Sequence, residues 1–205
     1  MVRAPMPVYL VRHAETEANA TRVVQLPDAR LSDRGRAQAA RLATRLARDG
    51  VAAIVSSDLR RAADTADAVR VASGAPVAYD PGLRERDYGV LRGVAYAAID
   101  ADLFAPDFEP PDGETWRTFH ARVDDVWSRV VRSASATAGN LVVVTHGLVV
   151  RAIVERHLAL PTDVARGLVC ANTAVTILDG DPPTRVRVLD CVAHLETADE
   201  NGAAI

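Results

Sequence analysis

Short unbroken apolar runs alternate with stretches of helical periodicity along most of this chain. Val8–Val11 is a run of the kind that marks a buried strand. Leu31-Ser32-Asp33-Arg34-Gly35 opens a helix with Ser32 as its N-cap. Ala39, Leu42, Ala43, Leu46 and Ala47 form the inward stripe of that helix, Arg36, Arg41, Arg45 and Arg48 lie mostly off it, and Gly50 ends it. Val51–Val55 is a second run. The spacing of Leu59, Ala62, Ala66 and Val69 predicts a helix from about Leu59 to Ala72, broken by Gly74-Ala75-Pro76. Val77–Tyr79 is a third short strand. Trp116, Phe119, Val123, Val126, Val130 and Val131 mark a helix from Glu114 to about Ala136. Asn140–Val144 is the most strand-like run, and a helix follows from Leu148 to about Leu158. Val175–Leu178 and Val186–Leu189 are the last strands, and the tail Glu196–Ile205 is expected to fray.

Strands alternating with helices predict an α/β fold, with a mostly parallel central sheet flanked by helices. The segment Asp80–Pro111 breaks the rhythm with Gly82, Gly89, Gly93, Pro106, Pro110 and Pro111 among its residues, and one short helix is expected near Ala95–Phe104. An insertion of this length in a compact fold is usually functional. At 205 residues, without repeat or linker, residues 1–205 read as one domain. The apolar fraction is 49% with only 4% aromatic, which suits close-packed helices on a Val-rich sheet. A net charge of −3 with both signs interspersed points to neither nucleic acid nor an anionic membrane as partner. Cys170 and Cys191 lie far apart without CxxC spacing, and read as thiols in a reducing compartment. Met1–Val11 lacks the apolar core of a signal peptide. No stretch approaches the roughly 20 apolar residues of a membrane span. The expected location is cytoplasmic.

Two of the predicted strands end alike, one in Arg12-His13 and one in Thr145-His146-Gly147. In a parallel sheet both histidines sit on one edge, where open α/β sheets bind ligands. One such histidine is ordinarily a hydrogen-bonded structural side chain; two on one edge, one beside an arginine and one before a glycine and a helix, suggest a site. Arg12 supplies a planar fork of donors suited to phosphate. The helix after Gly147 is expected to direct free N–H groups at the same space. Arg60-Arg61 also begins a helix after a strand, so at least one of the pair is expected to reach the pocket. The set is cationic, without the carboxylates that hold Mg²⁺ and without a Walker loop.

Five blocks in order carry a resemblance. They are Leu10-Val11-Arg12-His13-Ala14-Glu15-Thr16 with Asn19, Leu31–Gly35, Ser57-Asp58-Leu59-Arg60-Arg61-Ala62-Ala63-Asp64-Thr65-Ala66, Leu83-Arg84-Glu85-Arg86-Asp87-Tyr88-Gly89, and Val144-Thr145-His146-Gly147. From about Val8 to Ile177 the chain resembles the histidine phosphatase superfamily, the phosphoglycerate-mutase-like family. The resemblance implies a three-layer α/β sandwich. It implies that His13 is the nucleophile that takes the phosphoryl group, and that the ring's other nitrogen donates to a fixed acceptor. It assigns the phosphoryl clamp to Arg12, Arg61, His146 and Asn19, helped by the helix after Gly147, and prefers Arg61 to Arg60. It places Glu85 as the proton donor to the leaving oxygen. It implies no metal or organic cofactor, and a homodimer only as a family-level expectation. Glu15 and Glu17 read as solvated or structural, and His120, His157 and His194 as ordinary helix or surface histidines. Ala14 stands where glycine is frequent, and its extra methyl is expected to be tolerated.

The family contains phosphatases and mutases. Mutase-type members carry a longer basic insertion after the glutamate block. Here Gly93–Pro111 contains no Lys or Arg, while Asp100, Asp102, Asp107 and Glu109 are acidic. Pro111-Asp112-Gly113-Glu114-Thr115 resembles a segment common in the phosphatase branch. The expected activity is therefore a metal-independent phosphomonoesterase acting on a small phosphorylated metabolite through a phosphohistidine on His13. A cofactor-dependent phosphoglycerate mutase is the alternative. A non-catalytic phospho-ligand binder ranks last, because no catalytic residue is lost. Specificity is expected to reside in Val90–Thr115.

Overall fold

The apolar run predicted as the first strand is β1 (Val8–Arg12), and its alternation feeds two separate cores. Val8 and Leu10 pack with one cluster, and Tyr9 and Val11 with another. A strand covered on both faces reads as a continuous apolar run rather than an alternating one. The structure, a computed structural model, describes residues 7–160, 164–165 and 167–196. The first six residues, and the tail expected to fray apart from Glu196, lie outside the described residues.

β1 lies beside β4 (Asn140–Thr145), which is followed outward by β2 (Val51–Ser56) and β3 (Val77–Tyr79). On its other side come β5 (Val175–Asp179) and β6 (Arg185–Cys191). The pairs β1–β4, β2–β4 and β2–β3 are parallel, whereas β5 runs antiparallel to both its neighbours. The sheet is therefore mixed but mostly parallel, as the βαβ alternation predicts.

Helices α2 (Asp33–Leu46) and α3 (Arg60–Ser73) cover one face through Leu42, Ala43, Leu46, Ala62, Ala66 and Val69. Helices α4 (Trp116–Ala136) and α5 (Gly147–His157) cover the other through Phe119, Val123, Val126, Val149 and Ile153. Ser32 caps α2 by accepting the Gly35 N–H at 3.0 Å, and Thr115 caps α4 by accepting the Thr118 N–H at 3.2 Å. Gly74, at φ +72°, closes α3 in the left-handed conformation that glycine adopts without strain. No helix among the described residues is long and apolar enough to cross a membrane.

One short helix goes beyond the sequence reading, and one expectation is corrected. The short helix α1 (Glu17–Ala20) lies where a polar connection leads into loop, held by a capping box between Thr16 and Asn19. Conversely, Ala95–Phe104 contains only a 3₁₀ turn at Tyr96–Ala98. Its backbone groups bond across the chain instead of along a helix. Val24 N–H donates to Val94 O at 2.9 Å, Gly93 N–H to Val24 O at 2.7 Å, and Tyr96 N–H to Arg22 O at 2.9 Å.

Candidate active site

The register of the parallel strands builds the site. Arg12 pairs with Thr145, so the residues that follow, His13 and His146, leave the sheet side by side. Their ring centroids are 5.0 Å apart with planes inclined by 58°, and both rings are buried. The adjacent strand β2 delivers Ser57 to the same edge, with its N–H bonded to Val144 O at 2.9 Å.

Each ring has a hydrogen-bond partner on one nitrogen. Nδ1 of His13 lies 2.7 Å from the Ala14 carbonyl, which can only accept, so Nδ1 carries the proton and Nε2 keeps its lone pair. Burial, then Arg61 and Arg12, hold the His13 pKa well below the usual histidine value. Nε2 of His146 lies 2.8 Å from Ser57 Oγ. That hydroxyl also accepts the Leu59 N–H at 3.3 Å, and its own proton is available to Nε2. Burial, then Arg61, His13 and Arg12, keep His146 neutral by lowering its pKa well below the usual value. A neutral ring that accepts at Nε2 must donate at Nδ1.

The cations come from two further elements. Arg61 sits in the first turn of α3, 2% exposed, with Nη1 donating to Leu26 O at 3.2 Å. Burial pulls its pKa down to about 10, opposed by the charge of Glu85. Arg60, by contrast, turns outward to Asp64 at 2.8 Å. Arg12 Nη1 donates to Cys170 O at 2.5 Å. Among the described residues, the buried side-chain nitrogens and oxygens without a protein partner are Arg12 Nε, Arg61 Nε and His146 Nδ1. All three belong to this one site. Buried donors left unpaired are costly, and such a set is the mark of a place built for acceptors.

Glu85 occupies the same site. Its Oε2 accepts the Leu148 N–H at 3.2 Å and its Oε1 the Arg86 N–H at 3.1 Å. Burial raises its pKa above the usual carboxylate value, against the two N–H bonds, Arg61 and Arg12. The first turn of α5 thus gives one of its free N–H groups to Glu85, where the expectation was that these groups face the ligand space. Gly147 itself lines the cavity, with Arg12 Nε 3.6 Å from where a Cβ would sit. Asn19 also lines the cavity, with Oδ1 accepting the Thr16 N–H at 3.2 Å and Asn172 Nδ2 at 3.4 Å. Arg12, His13, Asn19, Arg61, Glu85, His146 and Gly147 are therefore all brought together.

Several supporting residues carry no clear signal in the sequence. Thr65 Oγ1 accepts the Ala14 N–H at 3.0 Å and donates to Arg61 O at 2.7 Å, tying the exit of β1 to α3. Thr65 and Ser57 lie within the third motif block, which is the signal that could have found them. The strap Cys170–Thr173 has no such signal. Asn172 Nδ2 donates to His13 O at 2.9 Å and Thr173 N–H to Arg12 O at 3.1 Å. Cys170 and Thr173 hold left-handed backbone at φ +52° and +58°, a sparsely populated region for non-glycine residues. Both cysteines are free; burial pushes the Cys170 thiol up to about 12. The Ala14 methyl packs into a small cluster with Leu31 and Ala39. Glu15 binds Ser32 at 2.9 Å and Arg34 at 3.3 Å, and Glu17 is exposed. His120 stacks on Trp116, His157 bonds Asp124, and His194 bonds Thr173.

Arg12, Asn19, Arg61, Glu85 and Gly147 line a cavity of about 910 Å³. Its other arginines are already engaged. Arg84 pairs with Asp58 at 2.5 Å, Arg92 with Asp87 at 2.6 Å, and Arg122 with Glu114 at 2.6 Å. Arg86, stacked 3.8 Å from the Trp116 ring centroid, donates to the carbonyls of Leu103, Phe108 and Glu114. Among the described residues, no group of three or more His, Cys, Asp or Glu side chains is arranged to hold a metal ion.

Known proteins resemble this chain over most of its length. The chain is 33% identical over 203 residues to phosphoglycerate mutase-like protein 4 of Arabidopsis thaliana, covering 92% of this chain and 86% of that one. It is 32% identical over 182 residues to a probable phosphoglycerate mutase, GpmB, of Enterobacter sp. (strain 638), covering 84% of each. Among solved structures, a mycobacterial glucosyl-3-phosphoglycerate phosphatase in complex with VO3 superposes with a TM-score of 0.77 at 30% identity, over 91% of this chain and 99% of that one. A sequence model of the histidine phosphatase superfamily (branch 1) matches residues 8–190, and the chain belongs to that superfamily.

Proposed function

We propose that this phosphoryl-transfer protein is a metal-independent phosphomonoesterase that hydrolyses a small phosphorylated metabolite through a phosphohistidine on His13. The observation that carries the reading is the set of three unpartnered buried nitrogens, on Arg12, Arg61 and His146, around an imidazole whose Nε2 is unprotonated. A phosphoryl group in transfer bears charge on its equatorial oxygens, and three fixed donors match it without reorganisation. Two guanidiniums supply positive charge where other phosphotransfer enzymes use a metal.

In the first half-reaction His13 Nε2 attacks phosphorus, the N–P bond forms and the P–O bond to the organic group breaks. Glu85, protonated through its raised pKa, delivers its proton to the leaving oxygen. In the second half water attacks phosphorus, the Glu85 carboxylate takes its proton, and the N–P bond breaks to release inorganic phosphate and neutral His13. Arg12, Arg61, His146 and Asn19 hold the oxygens throughout.

The charge balance of the cavity supports hydrolysis over mutase chemistry. Phosphoglycerate carries a carboxylate besides its phosphate. Arg84, Arg92 and Arg122 are each closed by a carboxylate of the protein, which favours binding a single anion. The mutase reading rests on the names of the Arabidopsis and Enterobacter relatives.

The test is turnover of a panel of phosphomonoesters with a chelator present, run beside interconversion of 2- and 3-phosphoglycerate. Hydrolysis should outpace interconversion, and ³²P from substrate should be trapped on the wild-type protein but not on His13→Ala. Label retained by His13→Ala overturns the nucleophile. Faster interconversion moves the protein to the mutases.

A further inference from the structure

Away from the arginine clamp the cavity wall changes character. Its volume of about 910 Å³ far exceeds a phosphoryl group and lies in the range of pockets that hold whole organic ligands. Two large apolar side chains line it while still open to solvent: Phe104 is 59% exposed and Val169 is 77% exposed. They come from segments far apart in sequence.

Neither is on a slack loop. The carbonyl of Leu103, next to Phe104, accepts from Arg86 Nη1 at 3.2 Å, and the Leu103 side chain is buried. Val169 stands between Leu168, whose carbonyl accepts from Arg151, and Cys170, whose carbonyl accepts from Arg12 and whose N–H donates to Asp190 at 2.9 Å. The backbone is pinned on both sides of an exposed apolar side chain. An arrangement held at this cost and not covered by the protein is suited to an apolar ligand surface.

The charge around these residues is unfavourable to a second anion. Beyond the clamp, the lining arginines Arg84, Arg92, Arg122 and Arg151 are each paired with a carboxylate of the protein, and Asp112 adds a carboxylate of its own to the lining. We infer that the site takes phosphomonoesters whose organic part is uncharged and presents an apolar face, seated against Phe104 and Val169. This rests on the phosphomonoesterase reading given above, and it narrows the metabolite to a hydrophobic alcohol's phosphate ester.

The test compares 2-phenylethyl phosphate, glycerol 1-phosphate, choline phosphate and 3-phosphoglycerate, all esters of alcohols, so that the leaving-group chemistry differs little. The expected kcat/KM is about 10-fold or more higher for the phenylethyl ester than for glycerol 1-phosphate, with 3-phosphoglycerate slowest. Phe104→Ala and Val169→Ser should each narrow the phenylethyl-to-glycerol ratio, chiefly through KM. A choline phosphate turned over fastest would overturn the uncharged class, and 3-phosphoglycerate turned over fastest would overturn the exclusion of a second anion. A ratio untouched by both substitutions would overturn the subsite.

Binding separates this inference from the catalytic reading. In calorimetry the non-hydrolysable 2-phenylethylphosphonate should bind about 10-fold more tightly than methylphosphonate, and Phe104→Ala should erase the difference. That result with no turnover of any ester would sink the phosphatase and leave the subsite standing. Equal binding of the two phosphonates would overturn the subsite even where esters are hydrolysed.

Discussion

The hydroxyl of Ser57 lies 2.8 Å from Nε2 of His146, and the two residues leave the sheet from neighbouring strands. A Ser57 proton donated to Nε2 leaves the His146 proton on Nδ1, which makes Ser57 a candidate positioning residue. Ser57→Ala should lower kcat/KM by about 10–100-fold, the usual cost of removing a residue that orients an active-site histidine. Ser57→Thr, which keeps the hydroxyl, should recover most of the loss. Nitrogen NMR of His146 should report Nδ1–H in the wild type and a tautomer mixture in Ser57→Ala. Equal loss in both variants with an unchanged tautomer would show that Ser57 serves packing alone.

Glu85→Gln keeps an acceptor for the Leu148 N–H and removes the transferable proton. Hydrolysis of alkyl phosphates should fall by about 10²–10⁴-fold, and hydrolysis of 4-nitrophenyl phosphate should fall far less, because nitrophenolate leaves without protonation. The same loss on both substrates would remove Glu85 from the acid role.

Activity and stability should respond differently to pH. Turnover needs neutral His13 and protonated Glu85, whose pKa values are shifted down and up from 6.5 and 4.5 respectively. The acid limb of kcat/KM should lie below pH 6.5, and the alkaline limb above pH 4.5 should disappear in Glu85→Gln. For stability, the unfolded chain takes up protons on His13, His146 and His194 near pH 6.5 while the folded chain does not, so stability falls as pH falls through that value. For His194, lowered to about 4 by burial and by Arg45 and Arg41, the loss continues down to that pH. Glu85 opposes the trend, since its raised pKa favours the folded state at low pH. Thermal denaturation should give a lower Tm at about pH 5 than at about pH 7.5, with a smaller difference in His194→Gln. A Tm that does not drop on acidification would contradict the burial of neutral imidazoles.

Gly35 lies in the first turn of α2, directly against the segment that leaves β1. A Cβ there would come within 1.9 Å of the Glu15 carbonyl oxygen, which is backbone and cannot rotate aside. Gly35→Ala should therefore destabilise the protein by about 1–3 kcal/mol despite alanine's better helix propensity. Urea unfolding checks the sign. An unchanged midpoint would mean that the segment shifts freely.

The histidine pair is legible in the sequence because parallel strands must end on one edge. The continuous apolar runs before His13 and His146 mark both strands as buried on two faces. Arg61 is separable from Arg60 only by the motif, and the fold supplies the reason: one helical turn carries the first into the cavity and the second to Asp64. The expected helix at Ala95–Phe104 fails because Tyr96 N–H bonds to Arg22 O and the chain just before it, Gly93 and Val94, bonds to Val24, partners that no local pattern encodes.

Strand and helix periods, capping residues and ordered motif blocks thus sufficed for the α/β class, the family and the cluster of His13, His146, Arg12, Arg61 and Glu85. These are decided by local chemistry and by the constraint that strands run alongside one another. Only the tertiary structure decided the Ser57 hydroxyl on His146, the strap of Asn172 and Thr173 behind His13, and the Leu148 N–H on Glu85. It alone also brought Phe104 and Val169 to one cavity. Each of these joins residues from separate elements, and hydrogen-bond direction and burial exist only once those elements are packed.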